Sequence, residues 1–308
     1  MNYIGLHEQI KRNNFRSLLL LLSFPALIIF GTYAVLYLGF QPETETANML
    51  FIQVIPFIII GVGVWFLIAY YSHTSIIKRA TKSRALSRKE NPEIYNLTEN
   101  LCMSVGMKTP KLFIVDSPGF NAFASGINEK TFAVTLTTGL INHLNEDEIE
   151  GVIAHELTHI RNKDVRLLII SIVFVGIFGF LVQIMMRSFI YGGGRRRDSK
   201  SNSKIMIIAF VVATVGYLLS ILFRFALSRK REYLADAGAV ELTKNSHALA
   251  SALRKISTNP EVELKSDDVK QMFIENSGNK TGFLASLRNL FGTHPPINKR
   301  IEILEQGL

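Results

Sequence analysis

The chain has 308 residues, of which 48% are hydrophobic, and its 34 Lys and Arg residues outnumber 25 Asp and Glu residues, giving a formal net charge of +9. The hydrophobic residues are concentrated in four uncharged runs of about 20 residues, the length that a helix needs to cross a bilayer. These runs cover 17–40, 49–71, 167–186 and 205–223. They exclude an ordinary soluble protein. The basic residues crowd the ends of the runs without interleaved aromatic residues, so we also exclude nucleic-acid binding.

The first two runs predict a retained membrane anchor with a defined orientation. The first run lacks a small-residue cleavage site and is followed by a second run, which argues against a removed signal peptide. The turn between them contains Glu43 and Glu45 and no base, whereas residues 78–89 are rich in Lys and Arg. By the positive-inside rule, the N-terminus and everything after Tyr71 face the cytoplasm.

Residues 93–140 predict a helix followed by a small sheet. The helix covers 93–105 and ends near a glycine. Residues 111–116 predict a strand closed by a Ser-Pro-Gly turn, and residues 130–140, rich in Thr, Phe and Val, predict another strand. This sheet leads directly into the most specific motif of the chain.

That motif is His155-Glu156-Leu157-Thr158-His159. On a helix, positions i and i+4 share one face, so both imidazoles can bind one Zn²⁺ while Glu156 stands beside the metal as a base. The pattern is short enough to arise by chance as two surface histidines. Its flanks favour the metal site, because Asn145 and Glu148 predict an Asn-headed capping box and an apolar stripe follows.

No proline lies between residues 146 and 186, which predicts that the ligand helix continues into the third run. The loop at 192–200 is rich in Gly and Arg, and two full crossings place it outside, against the positive-inside rule. Two resolutions stay open. Either the other basic segments outweigh this loop, or the third and fourth runs form a hairpin that does not fully cross; we favour crossing. Beyond the fourth run, residues 231–237 and 297–304 predict helices, and residues 258–280 predict a surface loop.

Together these pieces resemble the HtpX family of bacterial membrane metalloproteases. The resemblance covers nearly the whole chain and rests on an ordered set of features: the first pair of runs, residues 121–124, the motif helix, the basic glycine loop, residues 232–236, and residues 293–296 with Arg300. It implies a zinc-dependent endopeptidase of the bacterial plasma (inner) membrane. The CAAX prenyl proteases share the zinc motifs but have more spans, which argues against their substrate class.

The resemblance implies one Zn²⁺ per chain, bound by His155, His159 and Glu232. It makes Glu156 the catalytic base. It makes Asp236 the acceptor for the remaining N–H of a ligand histidine.

The resemblance also implies how substrates bind and where they are cut. An extended substrate would pair along Asn121 and Ala122, while His294 and Arg300 would lie beside the cleft. The substrates would be misfolded or membrane proteins, cleaved at the cytoplasmic face as part of membrane-protein quality control.

The lengths of the runs agree with the assignment of Glu232. Two histidines leave a catalytic zinc site one protein ligand short. Measured along a helix, His159 lies about 12 Å before the start of the third run. Glu232 lies about 13–14 Å after the end of the fourth run. Two full antiparallel crossings therefore return Glu232 to nearly the height of His159. Asp164 lies too near the membrane end of the ligand helix to serve as this ligand, and Asp198 lies at the far tip of the hairpin.

We therefore expect an α+β membrane protein with four transmembrane helices and a composite cytoplasmic zincin-type protease domain containing a small β-sheet. Its segments are 1–71 with the first transmembrane pair, 72–166 with the sheet and motif helix, 167–223 with the second hairpin, and 224–308 with Glu232. The alternative is a zinc-binding membrane transporter or receptor without hydrolytic activity. Such a protein has no need of Glu156, and no run has the mid-membrane charge typical of transport sites.

Overall fold

The computed structural model describes residues 6–191, 200–226, 229–259 and 295–306. The chain divides into two compact units. The sheet-containing unit draws on Met1–Asn14, His73–Ile169 and Phe225–Leu308, and the hydrophobic unit on Phe15–Ser72 and Ile170–Arg224.

Four long helices contain the hydrophobic runs. They are α1 (Leu6–Gly39), α2 (Thr44–Thr81), α6 (Asp164–Tyr191) and α7 (Lys200–Ala226). Each contains a segment long and apolar enough to cross a membrane, which confirms the prediction of four membrane-length helices. Within the hydrophobic unit, Phe24 and Phe174 stack with ring centroids 3.9 Å apart, while Phe30 and Phe57 are more than two-thirds exposed. Such exposure suits contact with lipid.

The small sheet has four strands in the order β1-β2-β4-β3. The strands are β1 (Arg84–Ala85), β2 (Lys111–Val115), β3 (Ala122–Ser125) and β4 (Ala133–Thr137). β2 pairs in parallel with β4, and β3 pairs antiparallel with β4 as an edge strand. The prediction of a strand at 130–140 is too long. Thr137 accepts a hydrogen bond from the Leu140 N–H and so begins α4 (Thr138–His143).

Five further helices complete the described part of the sheet-containing unit beside α4. They are α3 (Pro92–Ser104), α5 (Glu146–Arg161), α8 (Arg229–Thr243), α9 (Ser246–Thr258) and α10 (Ile297–Glu305). The surface loop predicted at 258–280 falls outside the described residues from 260 onwards.

The helix that carries the motif begins with the predicted capping box. Asn145 accepts from the Glu148 N–H, and the Glu148 carboxylate accepts from the Asn145 N–H, both at 2.9 Å. The same carboxylate accepts from Ser251 and Lys255 of α9 at 2.6 Å. Burial raises the pKa of Glu148, but these hydrogen bonds outweigh burial and lower it. The start of α5 is therefore stabilised both by its own capping box and by two side chains of α9.

The prediction of one continuous helix from the motif into the membrane is wrong. α5 ends at Arg161, and α6 begins at Asp164. Lys163 between them has a φ of 61°, a left-handed conformation that ends a helix without proline or glycine.

Candidate metal centre

α5 presents the two motif histidines on one face, as the i, i+4 spacing predicts. Their Nε2 atoms are 3.2 Å apart, and their rings are perpendicular. Two nitrogens bound to a single tetrahedral Zn²⁺ at its usual bond length are about 3.3 Å apart. The histidine pair thus has the separation that one zinc ion requires.

α8 contributes a carboxylate to the same point. Glu232 Oε2 is 3.7 Å from His155 Nε2, and Glu232 Oε1 is 3.5 Å from His159 Nε2. One potential ligand atom from each of the three residues lies within 4.8 Å of the others. The structure therefore brings together His155, His159 and Glu232 as three candidate ligands.

The outer nitrogen of each histidine faces an aspartate. His155 Nδ1 is 3.0 Å from Asp236 Oδ1, and His159 Nδ1 is 3.1 Å from Asp164 Oδ2. A carboxylate accepts a hydrogen bond from a protonated Nδ1, which leaves the Nε2 lone pair directed inwards. Two lone pairs and a carboxylate then converge on one point. This two-His, one-carboxylate set fits Zn²⁺, with a position left for water.

The electrostatics of the site also favour a cation at Nε2. Burial lowers the pKa of His155, but Asp236 and Glu232 outweigh burial and raise it to about 9. Burial likewise opposes ionisation of Asp236, yet Arg300 and His155 lower its pKa to about 2. The site is thus built to hold positive charge between anionic groups.

Glu156 lies on α5 next to the candidate ligands and is buried, with 3% of its surface exposed. Burial raises its pKa, while the neighbouring charges of His155 and His159 and a hydrogen bond from the Ala124 N–H act in the opposite direction. A carboxylate whose pKa is raised towards neutrality is a better proton acceptor. Ala124 also fixes the position of this carboxylate against β3.

Arg300 of α10 lies beside the ligands, with 1% of its surface exposed. Its Nε and Nη2 donate to the two carboxylate oxygens of Asp236 at 2.9 and 2.7 Å. Its Nη1 is 3.6 Å from Glu232 Oε2. The resemblance implies a place beside the cleft; the contacts show a buried bidentate pair that orients Asp236.

Asn121 and Ala122 lie at the start of the edge strand, where both residues are buried. The Asn121 carbonyl accepts from the Thr137 N–H, which makes this a hydrogen-bonded pair of the antiparallel ladder. Because such pairs alternate with non-bonded ones, the backbone groups of Ala122 and Ala124 face away from β4. The Ala124 hydrogen bond to Glu156 agrees with that direction. His294 lies outside the described residues.

Sequence reasoning rejected Asp164 as a ligand and did not consider it as a partner of His159. Asn13, which donates to Asp164, was also missed. Asp164 follows His159 by five residues, which places the two on different faces of a continuous helix. The sequence would therefore have pointed to this pair only if the end of the helix between them had been predicted.

Comparisons with known proteins agree with this geometry. The sequence pattern of Peptidase family M48 matches residues 88–307. A Protease HtpX homolog from Bacteroides fragilis is 56% identical over 99% of this chain and 100% of its own length. A protein of the same name from Ligilactobacillus salivarius is 36% identical over 97% of this chain and 99% of its own.

The fold is also similar to a solved structure. The crystal structure of S. mikatae Ste24p matches with a TM-score of 0.50, covering 96% of this chain and 67% of that chain at 22% identity. At this identity the likeness concerns the fold alone. The family match and the full-length relatives together show that this chain belongs to peptidase family M48, among its HtpX-type membrane metalloproteases.

Proposed function

We propose that the chain is a zinc-dependent endopeptidase that cleaves misfolded or membrane proteins at the cytoplasmic face of the plasma membrane, in membrane-protein quality control. One observation carries the chemistry: the three candidate ligands converge beside a buried carboxylate that no ligand role requires. A metal-binding transporter or receptor has no use for Glu156 in that position.

The residues of the chain supply proton transfer and orientation. When bound, zinc supplies a Lewis acid that activates water and stabilises negative charge on the scissile carbonyl oxygen. Glu156 accepts a proton from the attacking water and delivers it to the departing amine. The Ala124 N–H holds the carboxylate in place for both transfers. Asp236 and Asp164 lie 3.0 and 3.1 Å from the histidine Nδ1 atoms, a position from which a carboxylate favours the tautomer that leaves Nε2 available as a ligand.

The edge strand β3 supports a mode of substrate binding. The N–H groups of Ala122 and Ala124 donate to the Asn121 side chain and to Glu156, so the outward carbonyls of these two residues are the groups that can accept hydrogen bonds from an extended peptide lying as an additional strand. Such pairing reads the peptide backbone, so it tolerates many side chains. Broad tolerance of this kind suits an enzyme that removes damaged proteins of varied sequence.

The orientation rests on the distribution of charge. The basic residues at 78–89 lie in the last turn of α2 and beyond it. At the other end of this helix, Glu43 precedes it and Glu45 lies in its first turn, and residues 40–48 include no Lys or Arg. By the positive-inside rule the sheet-containing unit faces the cytoplasm.

Purified wild-type protein and Glu156→Gln test the proposed chemistry. Both should bind one zinc per chain, and only the wild type should cleave casein. Proteomics of membranes that contain either protein then identifies natural substrates as proteins that accumulate with the variant. Equal casein cleavage by the two proteins contradicts the proposed mechanism.

A further inference from the structure

Asp164 follows the ligand helix and returns its carboxylate to His159. On an unbroken helix, residue 164 would lie about 140° around the axis from residue 159, because each residue turns by about 100°. The left-handed Lys163 ends α5 and changes the direction of the chain. Asp164 Oδ2 consequently lies 3.1 Å from His159 Nδ1, and Asp164 is only 3% exposed.

Asn13 of α1 holds the other oxygen of this carboxylate. Its Nδ2 donates to Asp164 Oδ1 at 2.7 Å and to the Asn162 carbonyl at 2.9 Å. An amide nitrogen has two protons, so both are used. Asn13 is 2% exposed and lies in the same compact unit as the metal centre. It therefore fixes both the carboxylate and the residue that caps α5.

The two ligand histidines are supported in parallel ways. Asp236 faces His155 and is held from behind by Arg300, while Asp164 faces His159 and is held from behind by Asn13. In each case a buried donor from a distant part of the sequence fixes an aspartate, and an oxygen of that aspartate lies 3.0 or 3.1 Å from a histidine Nδ1. A carboxylate at this distance favours one tautomer of the histidine.

We propose that Asp164 is a positioning residue for the zinc ligand His159 and that Asn13 acts through Asp164, so that α1 is part of the support of the metal centre. The inference rests on the zinc site proposed above. Partners of this kind typically contribute 10–100-fold to metal affinity. Asp164→Asn removes the charge and cannot satisfy both neighbours: either its amide nitrogen opposes the Asn13 donor, or it turns a donor towards His159.

The test measures zinc affinity by competition with a chelator in the full-length protein in detergent. We expect Asp164→Asn to weaken zinc binding by about 10–100-fold, and Asn13→Ala by about 10-fold, the lower end of that range. Matched controls are Asn14→Ala, the exposed neighbour on α1, and Asp147→Asn, an exposed aspartate of α5. Both should bind zinc like the wild type.

Two further readouts separate positioning from a general effect on folding. The absorption spectrum of the cobalt-substituted protein should change in Asp164→Asn and stay unchanged in Asn14→Ala. In an Asp164→Ala background, adding Asn13→Ala should weaken zinc binding no further, because the carboxylate through which Asn13 acts is already absent.

Several results overturn the inference. If Asp164→Asn binds zinc with wild-type affinity, Asp164 is not a positioning residue for His159. If Asn13→Ala weakens zinc binding further in the Asp164→Ala background, Asn13 does not act through Asp164. Variants whose zinc loss follows a lower melting temperature of the zinc-free protein show a structural effect only. A wild-type chain that binds no zinc contradicts the proposed function itself.

Discussion

Gly238 of α8 lies against Thr158 of α5 so closely that a β-carbon at position 238 would be 2.4 Å from Thr158 Cγ2 and 2.9 Å from its Oγ1. Thr158 cannot easily turn away, because it is buried and its hydroxyl donates to the Ala154 carbonyl at 2.8 Å. This contact sets the distance between the helix with the two histidines and the helix with Glu232.

Gly238→Ala should therefore push the two helices apart. We expect a loss of stability of about 1–3 kcal/mol, typical of overpacking, together with weaker zinc binding. Thermal unfolding and chelator competition measure the two effects. Gly61→Ala, where a β-carbon meets no atom within 4 Å, is the control. Adding Thr158→Ala removes the two closest atoms and leaves a β-carbon 3.2 Å away, so it should recover part of both properties. No recovery contradicts the role of this contact.

Glu156→Gln should retain zinc and lose peptidase activity by about 10²–10⁴-fold, the usual contribution of a proton-transfer group. The amide has nearly the same shape but cannot accept the proton. Zinc content and casein cleavage are measured on the same preparation. A variant that loses zinc as well makes Glu156 part of the metal site and contradicts its assignment as a base.

Glu232→Ala should lose stoichiometric zinc and all activity, because only two protein ligands remain. Asp236→Ala should weaken zinc binding by about 10–100-fold, since it removes the partner of His155. Glu241→Ala, an exposed glutamate on the same helix, should do neither. Metal analysis of the purified variants is the measurement, and full zinc occupancy in Glu232→Ala refutes the ligand assignment.

The stability of the zinc-free protein should fall as pH rises. The pKa of His155 is raised from 6.5 to about 9 in the folded protein. A raised pKa stabilises the fold fully below the unfolded value, and this stabilisation is lost as pH rises from about 6.5 to about 9. Zinc replaces the proton at Nε2, so its affinity should increase over the same interval. Melting temperatures with a chelator, across this pH range, check the first effect. In His155→Gln, the melting temperature of the zinc-free protein should depend less on pH. If the pH dependence is the same as in the wild type, His155 is not its source.

Cysteine labelling tests the orientation. In a Cys102→Ser background, a cysteine at Thr44 should react with an impermeant maleimide in intact cells, and one at Ser87 should not. The reverse pattern overturns the cytoplasmic site. A cysteine at Ser199 tests the basic loop: labelling supports two full crossings of α6 and α7, and protection supports a hairpin that does not cross.

The parts of the site predicted from sequence depend on local rules. The histidine pair follows from helical periodicity, and the capping box follows from a spacing of three residues. β1 has only two residues, too few for a pattern to be recognised. The end of α5 was missed because a lysine adopts the left-handed conformation usually found at glycine or asparagine.

The supports of the ligands depend on contacts between residues far apart in sequence. Asn13 and Asp164 are separated by 151 positions, and Asp236 and Arg300 by 64. Neither pair belongs to a periodic pattern or a short motif. Their pairing requires the path of the whole chain, which composition and spacing do not supply.

The candidate metal centre draws on residues spread from Asn13 to Arg300. During translation, the ribosome makes His155 and His159 well before Glu232, with all of α6 and α7 made in between. A nascent chain that stops short of Glu232 has two of the three candidate ligands, whereas a catalytic zinc site needs three protein ligands. The three candidate ligands are therefore complete only after about three quarters of the chain has been made, and Arg300, which holds Asp236, follows later still.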